Sequence, residues 1–145
     1  MPVPLTARQP TFLPLTMSAA RTAVDSRNEP PVRASAETVW RRAGEADQAA
    51  ADCWVALLAN CDSPGRRALA GRLRGLIEAT ATYAGSTWWR GDGSYHRRRV
   101  AQAQFQIVEA VRDGDGEDFA EAFVGFDQAV ATVLVAVQTR LGSPA

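Results

Sequence analysis

The chain contains no lysine, so all 16 of its basic residues are arginines, and it has only one histidine. Its formal net charge at pH 7 is zero. This balance gives no indication of a nucleic-acid partner or an anionic membrane surface, and we predict neither direct DNA binding nor membrane binding. No apolar run reaches the ~18 residues of a membrane span, and the N-terminus lacks the apolar core of a signal peptide.

The sequence is also poor in cysteine, with only Cys53 and Cys61. Both fall in one segment of helical periodicity, which places them roughly 12 Å apart along a helix axis. That separation is too large for a disulfide, so we expect two reduced thiols and a cytoplasmic protein. Motifs for a nucleophile elbow, a phosphate loop or a dinucleotide site are absent from the sequence, and its acidic run at 113–118 lacks the EF-hand pattern.

The prolines concentrate at the N-terminus, where residues 1–33 hold six of the eight. This segment shows no clear apolar periodicity, which predicts a flexible tail followed by one helical domain over residues 34–145. Met17 is an alternative translation start. If translation begins there, we expect residues 1–16 to contribute little to the structure.

Apolar residues recur at helical spacing beyond the tail, and β-type alternation is absent. The pattern predicts an all-α fold, an antiparallel bundle of about four main helices with short connections. Candidate caps are Ser35, Ser63 followed by Pro64, Ser94 and Asp115. Residues 84–93 break the pattern and predict a loop or a bent helix end. The predicted helices span about 37–60, 64–83, 95–112 and 116–140.

Residues 50–130 resemble the second half of the C-terminal effector-binding (FCD) domain of GntR-family transcription regulators. Cys53–Pro64 is similar to the family's helix end and turn, and Arg72–Ile77 to its Leu-Arg helix. Ile107–Val111 with Gly114-Asp115 is similar to its Ile-Leu-x-Ala-Ile-x-x-Gly-Asp motif. The resemblance implies a truncated effector domain without the family's winged-helix DNA-binding domain.

The metal ligands of that family are missing from this chain. Aligned with the family, its metal-binding positions fall at Ala50, Trp54, Gln104 and Phe126, which provide no competent ligand set. The resemblance therefore implies no metal, and we expect no cofactor. The two large aromatic side chains either plug the former metal cavity or, with Ala50 and Gln104, line a pocket that stacks a flat organic ligand.

Other candidate ligand-binding residues are Tyr83, Trp88 and Trp89, which either form a pocket lid or close the end of the bundle. Asp47 and Arg72 lie on inward helix faces. They form either a structural ion pair or a functional pair, in which each binds or polarises a ligand. Arg72 is thus also a candidate ligand-binding residue, and in an enzyme Asp47 and Arg72 are the predicted catalytic residues.

The arginines of the segment 97–99 begin a helix, where the positive end of the dipole disfavours them. They either attract an anionic ligand, form a solvated face, or are neutralised by Asp92 and the acidic turn at 113–118.

Three functions remain open at this point. The first is a metal-free sensor or sequestering module that binds a small organic molecule in an aromatic-lined pocket, as a homodimer. The alternative is a cofactor-independent enzyme of specialised metabolism, such as a cyclase, isomerase or dehydratase, built on the same pocket. The third is a protein-binding domain that uses Trp88-Trp89 and the arginine cluster, which a cavity-free core would favour.

Overall fold

The fold is all-helical, as the sequence predicts. The structure is a computed structural model that describes residues 9–142, and these residues form helices without any strand. They contain six helices rather than about four, because the N-terminal segment and the Trp88-Trp89 segment are also helical. The helices are α1 Pro14–Asp25, α2 Pro30–Leu58, α3 Pro64–Ala84, α4 Ser86–Arg90, α5 Ser94–Asp113 and α6 Gly116–Gly142.

Several predicted helix ends are confirmed by their capping geometry. The Ser63 hydroxyl accepts a hydrogen bond from the amide of Arg66 at 3.0 Å, at the start of α3. Gly114 adopts a left-handed conformation with φ 68° and ends α5, as expected for a residue without a Cβ. Asp115 Oδ1 accepts from the amide of Asp118 at 2.9 Å, which caps α6.

Two predicted caps are wrong. Ser35 lies inside α2, which already begins at Pro30, because prolines are well tolerated in the first turn of a helix. Ser94 is the first residue of α5 rather than its cap, and its hydroxyl donates to the carbonyl of Arg90 instead.

The packing consists of two helical hairpins and one inserted helix. α2 packs mainly against α3, and α5 packs mainly against α6. α1 contacts both α2 and α6 and fills the seam between them. On the opposite side of the molecule, α3 and α5 contact each other only sparsely, so that this second seam is left open.

The prediction of a flexible tail over residues 1–33 is wrong for the part that the structure describes. α1 and the first turn of α2 occupy most of residues 9–33, and residues 1–8 lie outside the described residues. Met17 lies inside α1, and residues that precede it are part of the core. The residues that this segment buries are Leu13, Thr16, Ala20 and Ala23.

α6 forms the centre of the core. By length and composition it could cross a membrane, with a mean hydropathy of 1.5 over its most apolar 18-residue window. However, 56% of that window is buried by the rest of the protein, as in a core helix. Its inward face carries three phenylalanines with almost no exposed surface, Phe119, Phe123 and Phe126.

Candidate functional site

The aromatic cluster that the sequence predicts as a pocket is filled by the N-terminal segment. The ring of Phe12 makes edge-to-face contacts, with centroid distances of 5.3 Å to Phe123, 5.6 Å to Phe119 and 6.1 Å to Trp54. Ala50 and Phe126 have no solvent-accessible surface. Since a side chain without accessible surface lines no water-sized cavity, the cluster is a packed core at these positions.

Trp54 and Gln104, the other two predicted pocket residues, lie on different helices, α2 and α5. The indole Nε1 of Trp54 donates to the carbonyl of Gly116 at 3.2 Å, which ties the end of α2 to the start of α6. Gln104 is half-buried on α5, and its amide forms no hydrogen bond with the residues that the structure describes. Trp54 therefore has a structural role here, with its polar atom already paired.

Asp47 does not pair with Arg72. The carboxylate of Asp47 is buried, and its Oδ1 accepts the backbone amides of Thr11, Phe12 and Leu13 at 3.1, 2.8 and 2.9 Å. The guanidinium of Arg72 is about half exposed and lies 3.8 Å from Glu45. The predicted ion pair, and with it the predicted catalytic pair, is not formed because Asp47 binds the N-terminal segment instead.

Asp127 is a second buried carboxylate, which the sequence analysis missed. It accepts the backbone amides of Leu15 at 3.1 Å and Thr16 at 2.8 Å, and the Thr16 hydroxyl donates to its carbonyl. The first amides of a helix have no partner within the helix, and negative charge is favourable there. Asp47 and Asp127 together anchor the start of α1 to α2 and α6.

The predicted ligand residues Tyr83, Trp88 and Trp89 lie at the other end of the bundle. Trp54 bonds to Gly116 at the start of α6, whereas Trp88 lies 5.5 Å from the Arg140 guanidinium near the end of that helix. These two α6 residues are about 36 Å apart along the helix axis. The predicted ligand-binding residues therefore belong to two distant clusters and cannot bind one small molecule together.

The distal cluster closes the end of the bundle. Trp88 stacks on His96 with a centroid distance of 5.9 Å, and Arg140 donates to the carbonyl of Ala84 at 2.7 Å. Tyr83 is buried, and its hydroxyl has no hydrogen-bond partner among the described residues. Burial raises the pKa of Tyr83, against a smaller opposing effect of the Arg140 charge.

Arg98 and Arg99 at the start of α5 are exposed and lie on a solvated face, one of the alternatives that the sequence left open. Arg97 donates to the carbonyl of Trp89. Within residues 9–142, neither Asp92 nor the acidic turn forms an ion pair with any of the three. The acidic turn begins at Asp113, the last residue of α5, roughly 21–24 Å from these arginines along the helix.

A groove of about 770 Å³ lies between α1 and α6, and no α2 residue is part of its described lining. Leu15 and Val135 are about half exposed in it, and none of the lining residues within 9–142 is charged. The lining residues are Leu15, Ser18, Ala19, Thr22, Gln128, Ala131, Thr132, Val135, Ala136, Gln138 and Thr139.

Six polar side chains line this groove, and they differ in whether their polar atoms are already paired. The hydroxyls of Thr22 and Thr132 donate to carbonyls within their own helices, and Gln138 donates to Ser26. The Ser18 hydroxyl and the Gln128 side-chain amide are not engaged by the described residues, so both can bind a ligand. The sequence analysis missed this groove because it treated α1 as part of a flexible tail.

Comparisons with protein-family models, with curated proteins and with solved structures found no match. The FCD resemblance therefore stays a prediction from the sequence. Within residues 9–142, there is no group of three or more His, Cys, Asp or Glu residues that could hold a metal ion.

Proposed function

We propose that the protein is a binding module for a small, neutral and largely apolar organic molecule, held in the groove between α1 and α6. The observation that carries this proposal is the groove itself, whose volume of about 770 Å³ falls within the range of ~300–1,000 Å³ typical of ligand pockets. Five of its eleven lining residues are alanine or aliphatic, and the other six carry a hydroxyl or a side-chain amide that can meet a ligand's oxygen or nitrogen atoms.

The charge of the lining determines the class of ligand. Every lining side chain within residues 9–142 is uncharged, so an ionised ligand would lose hydration without gaining a counter-charge there. A neutral molecule avoids that cost, and one with a hydroxyl or carbonyl group can pair with Ser18 and Gln128. The ligand class is therefore a neutral molecule with one or two polar groups.

A sensor or sequestering role is our inference from the FCD resemblance, in which a helical domain binds an effector. The enzyme alternative lacks comparable support, since Asp47 holds backbone amides and Arg72 lies on the surface. The free thiols of Cys53 and Cys61 support the proposal of a cytoplasmic location.

Nile red, a neutral dye that fluoresces in apolar surroundings, tests the groove directly. We expect saturable binding to the intact chain. The substitution Ala136→Phe places a phenyl ring in the groove and should weaken binding at least about tenfold, equivalent to ~1.4 kcal/mol. Gln128→Leu keeps the approximate volume and removes the amide, so it should weaken binding of ligands with a carbonyl group more than binding of pure hydrocarbons.

Ala68→Phe is the matched control, because Ala68 is exposed on α3 and lies outside the groove. It should leave dye binding unchanged. Equal binding by the intact chain and the Ala136→Phe variant, with both folded by circular dichroism, would refute the groove as the binding site.

A further inference from the structure

The outward face of α5 carries an apolar stripe that residues 9–142 leave uncovered. Ala101, Phe105 and Val108 follow one another at spacings of four and three residues, which places them on one side of the helix. Phe105 is 62% exposed and Val108 is 42% exposed. Apolar residues at these spacings form the contact surface between two packed helices.

The stripe borders the open seam between α3 and α5. An apolar groove of about 210 Å³ lies there, lined in part by Leu69, Leu73, Ile107 and Val108. An apolar cavity of ~150 Å³ can hold a benzene molecule, so this groove is large enough for a phenyl ring. α1 fills the corresponding seam on the opposite side of the bundle, whereas this one has no occupant within residues 9–142.

Charge is segregated along α5 even though the whole chain is neutral. The N-terminal part carries Arg98 and Arg99, which have no ion-pair partner among residues 9–142. The C-terminal end leads into the acidic turn at 113–118. Repulsion from Asp115 is the largest of the effects that raise the pKa of Asp118, which shows that this turn has a surplus of negative charge.

We propose that this face binds a second copy of the chain, through antiparallel pairing of the two α5 helices about a two-fold axis between Phe105 and Val108. In that arrangement Phe105 of each copy faces Val108 of the other, beside the apolar groove. Arg98 and Arg99 of each copy then lie opposite the acidic turn of the other. A two-fold contact joins the same surface of both copies, and the charge pattern of α5 is complementary to itself only in the antiparallel orientation.

The contact is short, which determines its expected strength. With this axis, residues 100–113 of the two helices overlap over about 20 Å. One pair of helices in contact over this length buries less surface than the ~800 Å² per partner of a standard interface. We therefore expect a dimer that dissociates in the micromolar range and weakens as salt screens the charge pairs.

Sedimentation velocity over a concentration series tests the proposal with the full chain. Phe105→Asp should shift the dissociation constant at least about tenfold towards monomer. Val55→Asp is the matched control, because Val55 is similarly exposed, at 61%, but lies on α2 away from α5. It should leave the dimer unchanged. Both positions are on the surface, so both variants should keep their helical circular dichroism.

Charge reversal tests the antiparallel orientation. One variant carries Arg98→Glu with Arg99→Glu, and the other carries Asp113→Arg with Glu117→Arg. Each alone should self-associate more weakly, because like charges then meet across the axis. Mixed together they should form heterodimers, detected by energy transfer between dyes on the exposed thiol of Cys61.

A protein that stays monomeric at millimolar concentration would overturn the proposal. So would a dimer that Phe105→Asp and Val55→Asp affect equally. A dimer that is insensitive to salt, with no preference for the charge-reversed heterodimer, would overturn the antiparallel pairing. None of these outcomes depends on whether the groove between α1 and α6 binds Nile red.

Discussion

The anchoring of α1 by a buried carboxylate leads to a quantitative prediction for Asp47→Ala. The substitution removes the acceptor of three backbone amides. The amide of Leu13 is buried, and leaving it unpaired costs about 1–3 kcal/mol. The amides of Thr11 and Phe12 are only partly buried and can bond to water, so each loss costs about 0.5–1.5 kcal/mol or less. We expect a total of about 2–4 kcal/mol.

Asp47→Asn should cost clearly less, about 1 kcal/mol. The Oδ1 position that accepts from Phe12 and Leu13 is preserved. The amide group replaces Oδ2, which lies 3.3 Å from the amide nitrogen of Thr11, and the favourable negative charge near the start of α1 is lost. Urea denaturation measures both variants. Hydrogen exchange of the α1 amides shows whether the loss is local to that helix.

Glu45→Ala is the control, two residues away on the same helix. Glu45 pairs with Arg42 and Arg72 at the surface, so its removal should change the free energy of unfolding by less than about 1 kcal/mol. If Asp47→Ala changes stability no more than Glu45→Ala does, and exchange in α1 does not accelerate, then our account of α1 docking is wrong. Combining Asp47→Ala with Asp127→Ala should cost less than the sum of the two, because either one releases the same helix.

Four further outcomes follow from the fold. A chain that begins at Ala34 should lose several kcal/mol of stability in urea denaturation, since it lacks α1 and its buried side chains; an unchanged midpoint would show that α1 is dispensable. Tyr83→Phe should be neutral or stabilising by up to about 1 kcal/mol in thermal melts, because the hydroxyl it removes is buried without a partner. Gly114→Ala should cost about 1 kcal/mol, since φ is 68° there; a stabilised variant would contradict the assignment of that turn. Burial raises the pKa of Cys53 to about 11, so at pH 8 its thiol should react with iodoacetamide far more slowly than that of Cys61, as mass spectrometry of the labelled peptides can show.

The parts of the fold that the sequence predicts are those determined by local chemistry. Ser63 before Pro64, Gly114 with its positive φ, and Asp115 as a cap act within a few residues of themselves. Their effects do not depend on what packs against them. The predicted boundaries of α3, α5 and α6 are therefore correct to within one or two residues.

The prediction of a flexible N-terminal tail failed, because the structure of that segment depends on contacts with distant parts of the chain. The N-terminal segment contains few large apolar residues, although Pro14 in the first turn and its alanines favour a helix. What attaches this helix to the core is the burial of Leu13 and the pairing of its first amides with Asp47 and Asp127, which lie 34 and more residues away. Composition alone cannot show that a partner of this kind exists.

The candidate site depends on the same segment. Trp54 and Phe126 lie in one aromatic cluster, but Phe12, which fills it, comes from the segment that the sequence analysis assigned to a flexible tail. The groove between α1 and α6 exists only because α1 docks there, so it could not be found before that helix was known.

The docking of α1 also constrains the order in which the chain folds during synthesis. The amide of Thr16 finds its acceptor in Asp127, 111 residues later in the sequence. At about 5–20 residues per second, a ribosome needs roughly 6–22 s to add those residues. During this interval α1 can already contact α2, where Asp47 accepts the amides of Phe12 and Leu13. Its docking is completed only when α6 supplies Asp127, so in the nascent chain one side of α1 stays uncovered until that helix has been made.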